Sequence, residues 1–285
     1  MKCNGRFERF GYECPFCHYE PEILEGHFAF APELAEESEG FEASYFDTLS
    51  KLEVGNFWFT SRNRLIIWAL KQYFPQAANF LEIGCGTGFV LSGIKDALPE
   101  LTLSGSEVFT AGLSIAARRL PGVELFQMDA RRIPFAENFD VIGAFDVLEH
   151  IREDELVLSQ MHQATRKGGG IIITVPQHAF LWSQADDYAR HVRRYSAHEL
   201  RNKVERSGFE VVRVTSFVSF LLPLMFVSRL TGASSKQRYD PAAEFKIGAA
   251  TNFILRRVMD VERLFIKIGS SFPAGGSLLL VGRRI

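Results

Sequence analysis

Short apolar runs alternate with longer helical stretches from residue 75 to residue 216. Continuous apolar runs of this kind are typical of strands buried in a parallel sheet. Six runs lie in this region and a seventh near the C-terminus: 80–83, 101–107, 123–127, 139–145, 167–176, 209–215 and 277–282. The pattern predicts a doubly wound α/β fold with a seven-stranded, mostly parallel sheet.

Two helical patterns precede the first of these strands, at residues 41–53 and 57–74. In the second, apolar and aromatic residues recur on one face: Trp58, Leu65, Ile66, Ala69, Leu70 and Tyr73. Such a face packs against a sheet by default. Later in the chain, Ser196 and Glu199 form a capping box, which predicts a helix that runs to about Ser207.

About sixty residues, 217–276, separate the sixth predicted strand from the seventh. They contain an apolar segment at 217–227 interrupted by Pro223, a polar stretch at 231–240 and an amphipathic pattern at 241–268. The insertion is expected to cap the active site. Its apolar segment is too short to cross a bilayer but long enough to meet a lipid or a membrane surface. Packing against the protein's own core is the favoured interpretation.

These patterns divide the chain into five parts. Residues 1–40 form a cysteine-containing segment whose end, from residue 31, has the composition of a linker; residues 41–74 form the N-terminal helices. The core follows at 75–216, then the helical cap at 217–276, and residues 277–285 supply the last strand.

The most informative motif is the turn after the first core strand. Glu82 is followed by three alternating glycines, Gly84, Gly86 and Gly88, where a strand passes into a helix. Glycine at these positions allows positive φ and close approach of a ligand to bare backbone N–H groups. A dinucleotide-binding fingerprint would need its third small residue at position 89, which is Phe89, so the spacing argues against NAD.

This Glu-x-Gly-x-Gly-x-Gly order resembles motif I of the class I S-adenosylmethionine-dependent methyltransferases. The resemblance implies the class I methyltransferase fold, with S-adenosylmethionine as the cofactor and its methionine part wrapped by the turn. It also implies that Glu107, which closes the next strand, binds the ribose hydroxyls. The further cofactor-binding residues that it implies, beside Glu82 and the glycines, are Cys85, Thr87, Val108, Met128, Asp129, Ala130, Phe145, Asp146 and Val147.

Two of these assignments have particular roles. Asp129 is expected to accept a hydrogen bond from the exocyclic amine of adenine, although a carboxylate at this strand end could instead cap Arg131 or Arg132. Since the family usually folds its N-terminal helices over the cofactor, Trp58, Phe59 and Arg62 are expected near the site. Arg62 is the candidate partner of the cofactor carboxylate.

The residues after the fourth strand bear on the methyl acceptor. Asp146-Val147-Leu148-Glu149-His150 lacks the Pro-Pro-aromatic sequence of enzymes that methylate base amines, and Pro176 is followed by Gln177 rather than cysteine. Nucleobase methylation is therefore disfavoured. The resemblance implies methyl transfer to a small or lipid-like acceptor at oxygen or carbon; a protein methyltransferase and a cofactor-binding partner protein without catalysis are the alternatives.

A base would assist transfer to a hydroxyl or an enol. His150, His178 and His191 are the candidates, because histidine has an unperturbed pKa in the right range. Residues 177–195 form a loop at the carboxyl ends of the strands, where open α/β sheets bind ligands. The alternative is that His191, Arg193 and Tyr195 only satisfy one another within this loop.

Two metal sites are conceivable. Asp146, Glu149 and His150 share a helical face and are similar to the Glu-x-x-Glu-His pattern of the ubiquinone-pathway O-methyltransferases and the small-RNA ribose methyltransferases, in which a metal orients the acceptor oxygen. The metal-free interpretation is favoured here. The other hypothesis is a structural zinc on Cys3, Cys14, Cys17 and His18. Arg6 argues against it, because it occupies the position where the fourth ligand is expected.

Composition adds limits. A formal charge of −2 gives no electrostatic reason to expect nucleic acid as a partner. The first residues lack the apolar core of a signal peptide, and four cysteines suit a reducing compartment, so a cytoplasmic protein is expected. Membrane contact is conceivable but not expected, and the oligomeric state stays open.

Overall fold

The structure, a computed structural model, describes residues 12–36, 45–232 and 247–285. In these residues nine strands form one sheet: β1 (Glu22–Leu24), β2 (His27–Ala29), β3 (Asn79–Ile83), β4 (Thr102–Glu107), β5 (Glu124–Gln127), β6 (Phe139–Phe145), β7 (Thr165–Pro176), β8 (Phe209–Phe217) and β9 (Ser277–Arg284). Their order is β1-β2-β5-β4-β3-β6-β7-β9-β8. The strands from β5 to β7 in this order pair in parallel, and β9 runs antiparallel between β7 and β8.

The predicted α/β fold is confirmed, but the predicted count of seven strands was too low. The additional strands β1 and β2 form a hairpin from the N-terminal segment, and β2 pairs in parallel with β5 at the sheet edge. Three-residue strands carry too little alternation to be predicted. Ala31, in the predicted linker, is also tied to the core, because its backbone exchanges two hydrogen bonds with the side-chain amide of Gln127, at 3.0 and 2.7 Å.

Nine α-helices flank the sheet in the described residues: α1 (Tyr45–Glu53), α2 (Phe57–Tyr73), α3 (Phe89–Ala97), α4 (Thr110–Arg119), α5 (Asp154–Ala164), α6 (Gln184–Tyr188), α7 (Ala197–Arg206), α8 (Leu222–Gly232) and α9 (Ala249–Lys267). Alternate residues of β3 point to opposite sides, so that Phe80 packs with α2 and α3 while Leu81 packs with α5 and α7. This two-layer burial keeps the sheet rigid and leaves its carboxyl edge to form the site.

The insertion before the last strand is helical, as predicted. Pro223 lies in the first turn of α8, where a missing N–H costs no helical hydrogen bond. The predicted helix at 241–268 begins at Ala249 within the described residues, and residues 233–246 lie outside them. No helix in the described part of the chain is long and apolar enough to cross a bilayer.

Candidate functional site

The turn between β3 and α3 has the backbone geometry that its glycines predict. Gly84, Gly86 and Gly88 have φ of 65°, 52° and 74°, in the left-handed region. A Cβ at Gly84 would lie 2.5 Å from Cγ2 of Val147, and one at Gly88 would lie 2.8 Å from Cδ1 of Leu120. Any side chain at these two positions would therefore force its neighbour to move.

Glu107 lies at the end of β4, beside the turn. Its carboxylate accepts backbone hydrogen bonds from Gly86 at 3.0 Å and from Val108 at 2.8 Å. Burial raises the pKa of Glu107 more than these hydrogen bonds lower it. The carboxyl group is thus held rigidly at the floor of the site.

Glu82 is a buried acid whose Oε2 atom has no hydrogen-bond partner among the described residues. Burial raises the pKa of Glu82 well above its usual value, while the nearby positive charge of Arg62 acts in the opposite direction. A buried polar atom without a partner costs free energy unless a ligand or water satisfies it. Glu82 therefore marks a place where a hydrogen-bond donor is missing.

Arg62 has a different partner in this structure from the one expected. Its Nη1 donates to Oδ2 of Asp146, the residue after β6, and its guanidinium lies 4.5 Å from the ring centre of Trp58. Asp146 has a φ of 58° and donates its N–H to the Thr174 carbonyl at 2.9 Å. The pair closes one side of the site beside the turn.

Asp129, after β5, makes the local contact that the sequence left as the alternative. It accepts hydrogen bonds from the backbone N–H of Arg131 at 2.9 Å and from its Nε at 3.0 Å. Met128 and Ala130 flank it and are buried. The role of Asp129 toward adenine stays a prediction.

One cavity of about 1410 Å³ unites these groups at the carboxyl edge of the sheet. Of the predicted cofactor residues, it is lined by Arg62, Glu82, Gly84, Cys85, Gly86, Thr87, Glu107, Val108, Met128, Asp129, Ala130, Phe145, Asp146 and Val147. Gly88 is not among the lining residues, since it begins α3 and packs on Ala116 and Leu120. Its importance is for packing.

His191 enters the cavity from the loop after α6. Its Nδ1 lies 2.9 Å from Oδ1 of Asp186, and its Nε2 faces Glu149 with 4.0 Å between Nε2 and Oε1. Burial alone would raise the pKa of Asp186, but hydrogen bonds from His191 and Arg194 outweigh it and hold the pKa well below the usual range. Since an ionised carboxylate only accepts, Nδ1 of His191 donates to Asp186, and Nε2 is the ring nitrogen left on the side of Glu149.

Glu149, His150 and His191, here termed the histidine cluster, have ligand-type atoms within 4.8 Å of one another. Neither carboxylate oxygen of Glu149 has a hydrogen-bond partner in the described residues, and its side chain is fully buried. Burial, followed by the charge of His191, lowers the pKa of His150 to about 3, so this imidazole is neutral near pH 7. The predicted metal ligands Asp146, Glu149 and His150 do not converge, because Asp146 forms an ion pair with Arg62 instead.

Two of the loop residues singled out in the sequence, Arg193 and Tyr195, make structural contacts outside the cavity lining. Tyr195 donates to Oδ2 of Asp154 at 2.7 Å, and Arg193 and Lys203 pair with the same carboxylate. His178 lies outside the cavity lining and stacks on Phe180, with ring centres 4.9 Å apart. Of the three candidate bases, His150 and His191 therefore line the cavity and His178 does not.

The predicted zinc ligands do not form a cluster in the described residues. Cys14 is buried and Cys17 half-buried, neither of them in a disulfide within the described residues, and His18 pairs with Glu13 at 2.9 Å. Cys3 lies outside the described residues. Within the described residues, the histidine cluster is the group of three or more ligand-type side chains that converges. The structure therefore gives no support for zinc on Cys14, Cys17 and His18.

Glu53, Arg119 and Asp186 support the site although nothing in the sequence singles them out. Thr87 donates its hydroxyl to Glu53 of α1 at 2.7 Å, and Arg119 of α4 donates to the same carboxylate at 2.9 Å. This network ties the glycine turn to two helices. Asp186, 1% exposed, was equally unpredicted as the partner of His191, because only the folded loop brings the two together.

The opposite end of the cavity is apolar. Segments from the insertion line it, contributing Val218, Leu221, Leu224, Met225 and Leu255. The cavity thus has a polar, acid-rich end at the glycine turn and an apolar end under α8.

The comparisons with known proteins agree with this geometry. A family model described as a methyltransferase domain matches residues 54–214. The chain is 29% identical over 161 residues to the O-methyltransferase cnsE of Penicillium expansum, covering 52% of this chain and 58% of that protein. It is 35% identical over 103 residues to the phosphatidylethanolamine N-methyltransferase of Cereibacter sphaeroides, covering 33% and 48%.

A solved structure of a SAM-dependent methyltransferase from Thermotoga maritima matches with a TM-score of 0.54 at 17% identity, over 85% of this chain and 97% of that one. At this identity the likeness shows the fold alone. The chain spans about half the length of these two curated relatives. Because the family model covers more than half of the chain, including the glycine turn and the histidine cluster, the protein belongs to the methyltransferase-domain family.

Proposed function

We propose that the protein transfers a methyl group from S-adenosylmethionine to an oxygen or carbon atom of a small, lipid-like acceptor. The observation that carries the proposal is one cavity with two chemically different ends. An acid-rich glycine turn lies at one end, and an imidazole held by a carboxylate faces the same space beneath an apolar entrance.

The residues present fit the cofactor. A positively charged sulfonium compound suits a cavity floored by Glu82 and Glu107, and the unsatisfied Oε2 of Glu82 offers an acceptor for its donors. Glu107 would hold the ribose hydroxyls, and Arg62 would hold the carboxylate. When bound, the cofactor supplies an electrophilic methyl group, so that alignment and exclusion of water supply much of the acceleration.

His191 is the base that this geometry favours. Its Nδ1–H is donated to Asp186, which leaves Nε2 free to accept a proton from an acceptor hydroxyl or enol in the cavity. Arg194 fixes Asp186 in turn, with Nε and Nη2 at 2.7 and 3.0 Å from its two oxygens. A carboxylate that orients an imidazole in this way also stabilises the imidazolium formed on proton transfer.

The apolar entrance favours a lipid-like acceptor. Leu221, Leu224 and Met225 offer contacts for a hydrocarbon chain and few hydrogen bonds for a peptide. The two curated relatives are named as an O-methyltransferase and as a lipid N-methyltransferase. The proton-accepting imidazole supports oxygen or carbon over an amine, which attacks without prior loss of a proton.

Two other functions are less well supported. A partner protein without catalysis would fill the space beyond the glycine turn with side chains, whereas here it is a large cavity lined by His150 and His191. A protein methyltransferase would need an open groove, whereas side chains of α8 and α9 line part of this cavity.

The test combines binding and turnover. Calorimetry with S-adenosylhomocysteine should show binding to the wild type and to the His191→Gln variant with similar affinity. Transfer of tritiated methyl groups to a long-chain phenol should fall by about 10²–10⁴-fold in that variant. His198→Gln, on the exposed surface of α7, is the matched control and should keep full activity. Failure of the wild type to bind the product, or methylation of phosphatidylethanolamine alone, would contradict the proposal.

A further inference from the structure

Helix α9 exposes large apolar side chains along one side. Six of them are between 43% and 71% exposed: Phe253, Ile254, Val261, Leu264, Phe265 and Ile268. Their spacing places them on one face, over a length of about 22 Å at 1.5 Å per residue. The opposite face carries the buried residues Met259, Glu262 and Ile266, so the helix is apolar on both its inner and its outer face.

Polar contacts fix which face points outward. The fully buried carboxylate of Glu262 accepts backbone N–H groups of Val218 at 2.7 Å and Phe220 at 2.8 Å. Near the other end of the helix, Asn252 accepts the N–H of Phe57 at 2.7 Å. Turning the outer face inward would break these bonds and leave a buried acid unsatisfied. The exposed apolar side is therefore a fixed feature of the fold.

Helix α8 extends this apolar surface to the cavity. Leu224, Phe226 and Val227 are 58%, 47% and 55% exposed, and Leu224 also lines the cavity. The ring of Phe220, just before α8, packs against Phe265 of α9 with centres 6.1 Å apart. The sequence favoured burial of the 217–227 segment against the core. Phe217, Val218 and Leu221 do pack there, whereas the second half of the segment is largely exposed beside the cavity.

The exposed charges on α9 are mainly basic. Arg257 lies on the apolar side, with its guanidinium 4.9 Å from the ring centre of Phe253, and Lys267 is exposed at the C-terminal end. The acids of the helix are Glu262, which is buried, and Asp260, whose carboxylate is shared by Arg64, Arg263 and, at 3.7 Å, the exposed Arg257. Large apolar side chains interspersed with basic residues are the signature of a helix that lies in a membrane interface.

We infer that α8 and α9 dock the protein on the surface of an anionic lipid bilayer, with the cavity entrance facing the lipid. The nature of the acceptor in this inference rests on the proposed function, whereas the docking itself does not. A bilayer is favoured over a protein partner because a protein seated on Leu224 would close the entrance, whereas a bilayer would supply a lipid-like acceptor to it. Basic side chains at the edge would contact the lipid phosphates.

The test is sedimentation of the full chain with vesicles of phosphatidylcholine and phosphatidylglycerol, without cofactor or turnover. The wild type should bind, less well in high salt and less well to phosphatidylcholine alone. The Leu264→Glu/Ile268→Glu double variant should bind at least about tenfold more weakly. The matched control is Ile23→Glu/Leu156→Glu, at exposed apolar positions on β1 and α5, which should bind as the wild type does. Arg257→Gln/Lys267→Gln should reduce the salt dependence.

Calorimetry with S-adenosylhomocysteine and thermal unfolding of every variant separate loss of docking from loss of the fold or of cofactor binding. The inference is overturned if the wild type stays in the supernatant, or if the α9 double variant binds vesicles as well as the control does. A third result would also overturn it: a wild type that is a dimer and does not bind vesicles, and a double variant of α9 that is a monomer. The apolar side of α9 would then be a contact between protein molecules.

Discussion

Replacing Asp186 by asparagine should separate the catalytic role of His191 from the stability of its loop. Asp186 is 1% exposed and accepts five hydrogen bonds: one from His191, two from Arg194 and two from Ser183. Asparagine keeps the shape but removes the charge, leaving the buried Arg194 without an ionised partner. Breaking a buried ion pair from one side costs about 3–5 kcal/mol of unfolding free energy.

The effect on catalysis should be separate from the effect on stability. Without an ionised acceptor, Nδ1 of His191 no longer has to carry the proton, and the imidazolium formed on proton transfer loses its counter-charge. The kcat should fall by about 10²–10⁴-fold, while the affinity for S-adenosylhomocysteine changes little. The acidic limb of the pH–rate profile should move to lower pH, which a purely structural change would not cause.

The matched control is Asp154→Asn. Asp154 is also buried and accepts hydrogen bonds from Tyr195 and Lys203, but it does not line the cavity. Its loss should destabilise the protein by a comparable amount, measured by urea unfolding, and leave kcat nearly unchanged. If Asp186→Asn keeps the wild-type kcat and pH–rate profile, or if both variants lose activity equally, His191 is not the oriented base.

Four further outcomes are expected. Glu107→Ala should weaken S-adenosylhomocysteine binding by about 1–3 kcal/mol in calorimetry, since charge-assisted hydrogen bonds are lost; unchanged affinity would contradict the ribose assignment. Burial alone would raise the pKa of Asp154, but hydrogen bonds from Arg193, Lys203 and Tyr195, together with the charge of Arg193, outweigh it and lower the pKa. The stabilisation from Asp154 is therefore present above the unfolded value of about 4 and is lost as pH falls through the lower folded value. The difference in unfolding free energy between wild type and Asp154→Asn should therefore shrink in acid; a constant difference would refute it. Exhaustive EDTA treatment should leave methyl transfer intact; loss of activity that Mg²⁺ restores would show that the reaction needs a metal. Purified protein should contain well below one equivalent of zinc, with thiol titration unaffected by a chelator; a full equivalent would support a knuckle at Cys14.

Local patterns in the sequence predicted the core and the glycine-turn part of the cavity. The seven core strands are long apolar runs, and positive φ at Gly84, Gly86 and Gly88 follows from residues that are adjacent in the chain. The position of Glu107 follows from strand length alone, because parallel strands end at one edge of the sheet. The local alternative for Asp129, a contact with Arg131 two residues away, could also be foreseen for the same reason.

The histidine cluster and its surroundings were decided by the tertiary structure. Asp186, His191 and Glu149 come from two loops that meet only when residues 177–195 fold over the end of β6, so spacing in the sequence could not identify His191 over His178. The same holds for Glu53 beneath Thr87 and for the outer face of α9. That helix is apolar on two sides, and a periodic pattern cannot say which side is buried. The buried carboxylate of Glu262 fixes which side faces the core, and its backbone partners lie more than forty residues away in the chain.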